Sequence, residues 1–215
     1  MGGRKLEKIK QNPFVKKVGF NRIVLCCVLL LMYGLFCALT GGSFAGMNRI
    51  MSALNYAYFL GFLSLGVTFV IATGEIDFSI GPVMFCCALI SGYTLTTHGI
   101  SMPVAILISI LVGFAFGLFN GYLVAYWSVP SFITSMASMN IAKGLASVYT
   151  KTQSVSWPQA ADPDNGWFRN LVRYNGFPVG LVILLVAAVI CAIILNKTRI
   201  GRYILCLGSN KEAVR

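Results

Sequence analysis

The 215 residues are 57% hydrophobic and only 11% charged, with a mean hydropathy of +0.79, where ordinary soluble domains carry roughly 25% charged residues. That balance excludes a water-soluble globular fold, and because the apolar residues come in continuous runs rather than amphipathic stripes, the solvent around them is lipid. The net charge of +11 does not point to nucleic acid, since the basic residues gather at the two ends and in hydrophilic gaps, with no basic helix interleaved with aromatics.

A basic tail over 1–22 holds Arg4, Lys5, Lys8, Lys10, Lys16, Lys17 and Arg22 ahead of the first apolar run. The tail is long and no small-residue cleavage site follows that run, so it reads as an anchor and not as a removable signal. A helical crossing needs about 20 apolar residues. Six spans are predicted on that measure, near Ile23–Leu39, Met51–Ala72, Ser79–Leu95, Pro103–Tyr126, Phe132–Tyr149 and Val179–Leu195. Each is a helix because lipid satisfies no backbone polar group. The expected fold is therefore all-α, a polytopic transmembrane bundle over 23–196. Beyond it lie Lys197, Arg199, Arg202, Lys211 and Arg215, so with an even span count both ends are expected in the cytoplasm. The outer loops are then 40–49, 96–102 and 150–178. The last of these carries Trp157, Trp167, Tyr174, Pro158, Pro163 and Pro178 and is expected to form an ordered cap at the headgroups.

Small residues recur every fourth position at Ala53, Ala57 and Gly61, and at Gly113, Gly117 and Gly121, which predicts close helix packing. In the fifth span Ser131, Thr134, Ser135, Ser138 and Ala142 share one sector of about 100°. This hydroxyl stripe either packs against neighbouring helices or lines a polar path. Asn140 and Lys143 lie off the stripe, and Lys143 can snorkel toward the headgroups. The densest polar cluster runs from Gly74 to Pro82 and holds Glu75, Asp77 and Ser79. Carboxylates at a membrane are costly and tend to be functional; the plainer reading is a hairpin in which Asp77 or Ser79 caps the next helix. An acid/base pair of Glu75 and Asp77 is an alternative, although no nucleophile or metal-ligand spacing accompanies it. His98 is expected to be a loop residue. Cys26, Cys27, Cys37, Cys86, Cys87, Cys191 and Cys206 show neither zinc nor disulfide spacing and are read as small packing residues. After the last span, Ser209 and Glu212 have capping-box spacing, which predicts a surface helix starting at Ser209.

From about Asn48 onward, the sequence resembles the permeases of the ribose, xylose and galactose class of bacterial ABC importers. The motifs that carry the likeness are GEIDFSIG at Gly74–Gly81, NGYLVAYWSVPSFITSMASM at Asn120–Met139, and TRIGRYILCLGSNKEAVR at Thr198–Arg215. Glu75 and Phe78 depart from the family's usual residues at their positions. The resemblance implies a multi-pass protein of the bacterial inner membrane with more spans than the six here. It also implies a second permease copy or homologue, a cytoplasmic ATPase subunit, and an external sugar-binding protein that delivers a pentose or hexose. No glycine-rich phosphate loop is present, so no cofactor is expected on this chain and ATP would bind the ATPase partner. The candidate substrate-path residues are Asp77, Ser79, Asn120, Ser131, Thr134, Ser135 and Ser138. Over 197–215, the candidate ATPase-coupling residues are Gly201, Arg202, Ser209, Glu212 and Ala213. A bare structural or channel subunit is the other alternative.

Overall fold

Residues 20–172 and 177–209 are described by the computed structural model. Six long helices take up the apolar runs: α1 (Phe20–Leu39), α2 (Met47–Ala72), α3 (Ile80–His98), α4 (Met102–Ala125), α5 (Ser131–Tyr149) and, after the short α6 (Trp167–Val172), α7 (Val179–Lys197). A further helix, α8 (Arg199–Ser209), follows α7 almost without a break. Local chemistry sets the ends. Gly99 takes the left-handed conformation at φ 62° and donates its N–H to the Leu95 carbonyl, stopping α3, while Pro103 sits in the first turn of α4, where a missing N–H costs nothing. Five of these helices, α1 to α4 and α7, are long and apolar enough to cross a membrane. The 19-residue α5 matches α3 in length but not in apolarity, because it carries the serines and threonines noted above. No strand occurs among the described residues, and all seven cysteines are free.

The chain divides into two compact units at Ala53/Leu54. In the first, the turn after α1 is tied by Gly42 N–H to the Cys37 carbonyl at 2.8 Å. Phe44 packs there on Tyr33 and Phe36, with ring centroids 5.6 and 5.5 Å apart. Leu30 and Leu31 of α1 are 70% and 71% exposed, a disposition that only a hydrocarbon solvent makes favourable.

In the second unit α3, α4 and α5 form the packed centre. Cys86, Ile90, Phe116, Ala142 and Ala146 are buried together, with Val83, Leu89, Ile108 and Val112 against them. At the far end of α3 and the start of α4, Leu95, Met102 and Ala105 are buried under Trp157 and Phe168. The segment after α5 makes this cover. Its Trp157 and Phe168 rings stack at 5.9 Å, Asn165 Oδ1 accepts the Met102 N–H at 3.2 Å, and Arg169 Nε donates to the Pro158 carbonyl at 2.7 Å. Asp162 closes the turn by accepting the N–H groups of Asp164 and Asn165.

The small-residue stripes are used unevenly. A Cβ at Gly61 would lie 2.3 Å from Leu184 Cδ2, so α2 and α7 do approach closely there. On α4 only Gly113 has a neighbour, Cys87 Sγ, whereas Gly117 and Gly121 face open space, contrary to the expected packing seam. His98 is the exposed last residue of α3.

The surface helix starts earlier than the capping-box spacing indicates. Thr198 Oγ1 accepts the Gly201 N–H at 3.1 Å and opens α8. Ser209 is the last residue of that helix, and its hydroxyl donates back to the Leu205 carbonyl at 3.0 Å. A threonine straight after an apolar run is a sufficient start signal on its own. Glu212 and Ala213 lie outside the described residues.

Candidate functional site

Between α2 and α3 the chain must turn, and Gly74 does so with φ 77°, a conformation that suits a residue without a Cβ. The next residues carry the two carboxylates into the bundle. Asp77 Oδ1 accepts both the backbone N–H and the hydroxyl of Ser79, each at 2.6 Å. Ser79 is the N-cap residue of α3, yet its own side chain makes no capping bond. It is 2% exposed and instead accepts from Asn120 Nδ2 of α4 at 3.0 Å. Asn120 Oδ1 in turn accepts the hydroxyl of Ser138 of α5. Four side chains from the turn and three helices thus form one chain of hydrogen bonds, Ser138 to Asn120 to Ser79 to Asp77, with each donor directed toward the carboxylate. Such a chain is polarised in one sense and strengthens cooperatively in a low-dielectric interior. A second link lies beside it: Ser131 Oγ donates to Glu75 Oε2 at 2.5 Å and accepts the Ile76 N–H at 3.3 Å.

Of the seven expected path residues, the structure therefore joins Asp77, Ser79, Asn120 and Ser138 directly and places Ser131 on the neighbouring link. Thr134 and Ser135 are buried as well, but their hydroxyls turn back to the carbonyls of Pro130 and Phe132 in their own helix. The stripe faces inward as a whole, with Ser138 and Ala142 at 0% exposure. It packs α5 onto its neighbours, and only its Ser131 end reaches an open space.

That space is a cavity of about 860 Å³ lined by Thr73, Gly74, Glu75 and Ile76 of the turn, Gly121, Val124 and Ala125 of α4, the stretch Ser128–Phe132, and Leu207 of α8. Of these, Ser131 is an expected path residue, whereas Ser128, Val129, Pro130, Phe132 and Leu207 stand out in the sequence only as parts of the second and third quoted motifs. Pro130 was the available sequence signal for a turn there, and the structure adds a left-handed Ser128 at φ 56°. Helix α8 packs onto this region by its backbone: a Cβ at Gly208 would lie 2.2 Å from the Ala72 carbonyl oxygen. At the other end of α8, a Cβ at Gly201 would lie 2.1 Å from the Leu195 carbonyl oxygen, so this candidate coupling residue seats α8 on the end of α7. Arg202 is exposed on the same helix.

A bundle of apolar helices with exposed hydrophobic faces, interrupted by a hydrogen-bonded polar turn, defines a polytopic membrane protein. Residues 49–215 match the family described as the branched-chain amino acid transport system / permease component, and the chain belongs to that family. It is similar to a fructose import permease protein of Bifidobacterium longum, 29% identical over 222 residues that cover 97% of this chain and 61% of that one. It is 32% identical over 165 residues to the galactofuranose transporter permease protein of Escherichia coli, covering 75% and 46% of the two chains. With the ribose import permease protein of Escherichia coli it shares 30% identity over 176 residues, covering 80% and 54%. The chain thus spans about half to three fifths of the length of these curated relatives. No solved structure matches the chain.

Proposed function

We propose that the protein acts as the permease subunit of an ATP-binding-cassette importer that carries a simple sugar, a pentose or hexose, across the bacterial inner membrane. The observation that carries this reading is the hydrogen-bonded chain from Asp77 through Ser79 and Asn120 to Ser138, built on the GEIDFSIG turn and joining three helices beside an open cavity. The names of its relatives favour a sugar over an amino acid: fructose, galactofuranose and ribose. Basic residues flank the bundle on the side of α8, so the motif turn, the cavity and α8 belong at the cytoplasmic face. ATP is bound and hydrolysed on a partner ATPase, which would press on α8 through Gly201, Arg202 and Ser209, with Glu212 and Ala213 following. An external binding protein delivers and selects the sugar, and a second permease copy or homologue completes the route. The chemistry is transport: Glu75 and Asp77 each hold a different serine and serve to order the turn.

The test is sugar uptake into proteoliposomes by the protein as its gene encodes it, with its ATPase and binding protein. Asp77→Ala removes two hydrogen bonds to a charged group, each worth about 1.5–3 kcal/mol, and uptake is expected to fall by about tenfold or more. Glu75→Ala should cost clearly less, and equal losses in the two variants would take away the special place given to Asp77.

A further inference from the structure

Helix α5 has three faces, and only two of them have an obvious neighbour. Thr134, Ser135, Ser138, Ala142 and Ala146 are buried inside the α3–α4–α5 group. Ile141, Leu145 and Val148 are exposed at 49%, 45% and 78% and suit lipid. Asn140, Lys143 and Ser147, at positions i, i+3 and i+7, fall within about 60° of arc on a third face; all three are exposed, and Met136, one turn earlier on the same face, is the apolar residue at which the strip ends. Asn140 is at the midpoint of the Ser131–Tyr149 helix, the depth at which a bare carboxamide in hydrocarbon is least tolerable. Lys143 is the one charged side chain among the described residues that lies more than a turn inside a long helix. Asn140 Nδ2 donates to the Met136 carbonyl at 2.9 Å, one bond for a side chain that is exposed at mid-helix. A lone lysine could snorkel along an apolar surface, but an asparagine at mid-helix is too short to do so.

We infer that the Asn140–Lys143–Ser147 strip of α5 faces a water-filled route through the membrane and supplies hydrogen-bond donors and acceptors to a polyhydroxylated solute, while the hydroxyl stripe on the opposite face serves as packing. The inference rests on the permease reading for the identity of the solute but, for the water, on three exposed polar side chains, one of them at mid-helix. It also accounts for the low apolarity of α5: the helix is polar on two sides because one meets protein and the other meets water.

Single cysteines at Asn140, Lys143 and Ser147, and at Ile141, Leu145 and Ser138 for comparison, are exposed in native membranes to a charged methanethiosulfonate reagent, with and without ATP turnover. Modification is read position by position by peptide mass spectrometry, so the native cysteines stay in place. The expected pattern is labelling at 140, 143 and 147, with the other three positions at least tenfold slower. Labelling of 140 and 143 as slow as that of 141 and 145 would show that the strip faces lipid and would overturn the inference, as would fast labelling of 138 in its place. A second readout is uptake: Lys143→Leu is expected to reduce it about tenfold and Lys143→Gln about twofold, whereas equal uptake in both variants and the parent would also overturn it. A labelled strip in a parent protein that transports no sugar would sink the permease reading and leave the water-facing strip in place.

Discussion

The two ends of the α3–α4–α5 group are built from opposite materials. At the motif end, two carboxylates, three serines and an asparagine are held in hydrogen bonds beside a cavity of about 860 Å³. At the other end Trp157 and Phe168 stack over Leu95, Met102 and Ala105, and Thr150 is 2% exposed. One end is open and polar; the other is covered and apolar. Hydrophobic contact is non-directional and can be parted and remade without leaving unpaired groups, whereas a hydrogen-bonded chain loses its geometry if one member moves. The covered end, or lid, is thus held by contacts that tolerate displacement, and the motif end by bonds that transmit it.

The comparison can be broken most severely at the lid. Trp157→Ala removes a half-buried aromatic from the cover, and a loss of about 2–3 kcal/mol of local stability is expected, scaled down from full burial. Hydrogen exchange should show it as lost protection over 150–172 with little change at the motif turn, and a loss spread evenly over both ends would mean that they do not behave separately. Asn120→Leu comes next. It removes the Asn120 links to Ser79 and Ser138 together and leaves Ser79 only its bond to Asp77, with an expected cost of about 1–2 kcal/mol in a membrane interior. Denaturant unfolding in micelles measures it, and Ser138→Ala should cost about half as much because one link is lost instead of two. The smallest effect is expected at Lys151, left-handed at φ 51° where α5 passes into the lid. Lys151→Gly relieves that backbone and should raise thermal stability by up to about 1 kcal/mol, and a fall in stability there would show that the lysine side chain has a role in the lid.

Helix positions were legible because apolar length is a coarse and forgiving signal. The expected span Met51–Ala72 became Met47–Ala72 and Pro103–Tyr126 became Met102–Ala125, shifts confined to frayed or capped ends. The candidate site was legible in its members and not in its wiring. Asp77 and Ser79 stood out in the polar Gly74–Pro82 cluster and Asn120 at the start of the second motif, but the partner of Asn120 depends on the rotation of α4 about its axis, and the glycines at 113, 117 and 121 indicated a packing seam that only Gly113 forms. The hydroxyl stripe of α5 could be read as packing or as path, since periodicity reports a shared face and not what covers it. At Ser209 the hydroxyl bonds backward to Leu205, and the Glu212 half of the capping-box spacing lies outside the described residues. Burial, which one sequence does not reveal, separated these cases.

The two glycine seats of α8 make it a crossbar resting on two supports. Gly201 rests on the end of α7 and Gly208 on the last turn of α2, about 10 Å apart along the helix. Neither seat has a side chain to flex, so backbone bears directly on backbone at both. A load placed between them, on the exposed side at Arg202 or Tyr203, divides between the two supports instead of being absorbed by bending side chains. Most of a push at Arg202 or Tyr203 would fall on the nearer seat at Gly201, and the remainder would reach Ala72, one residue before the bend that leads into Glu75 and Asp77, as a displacement of the main chain.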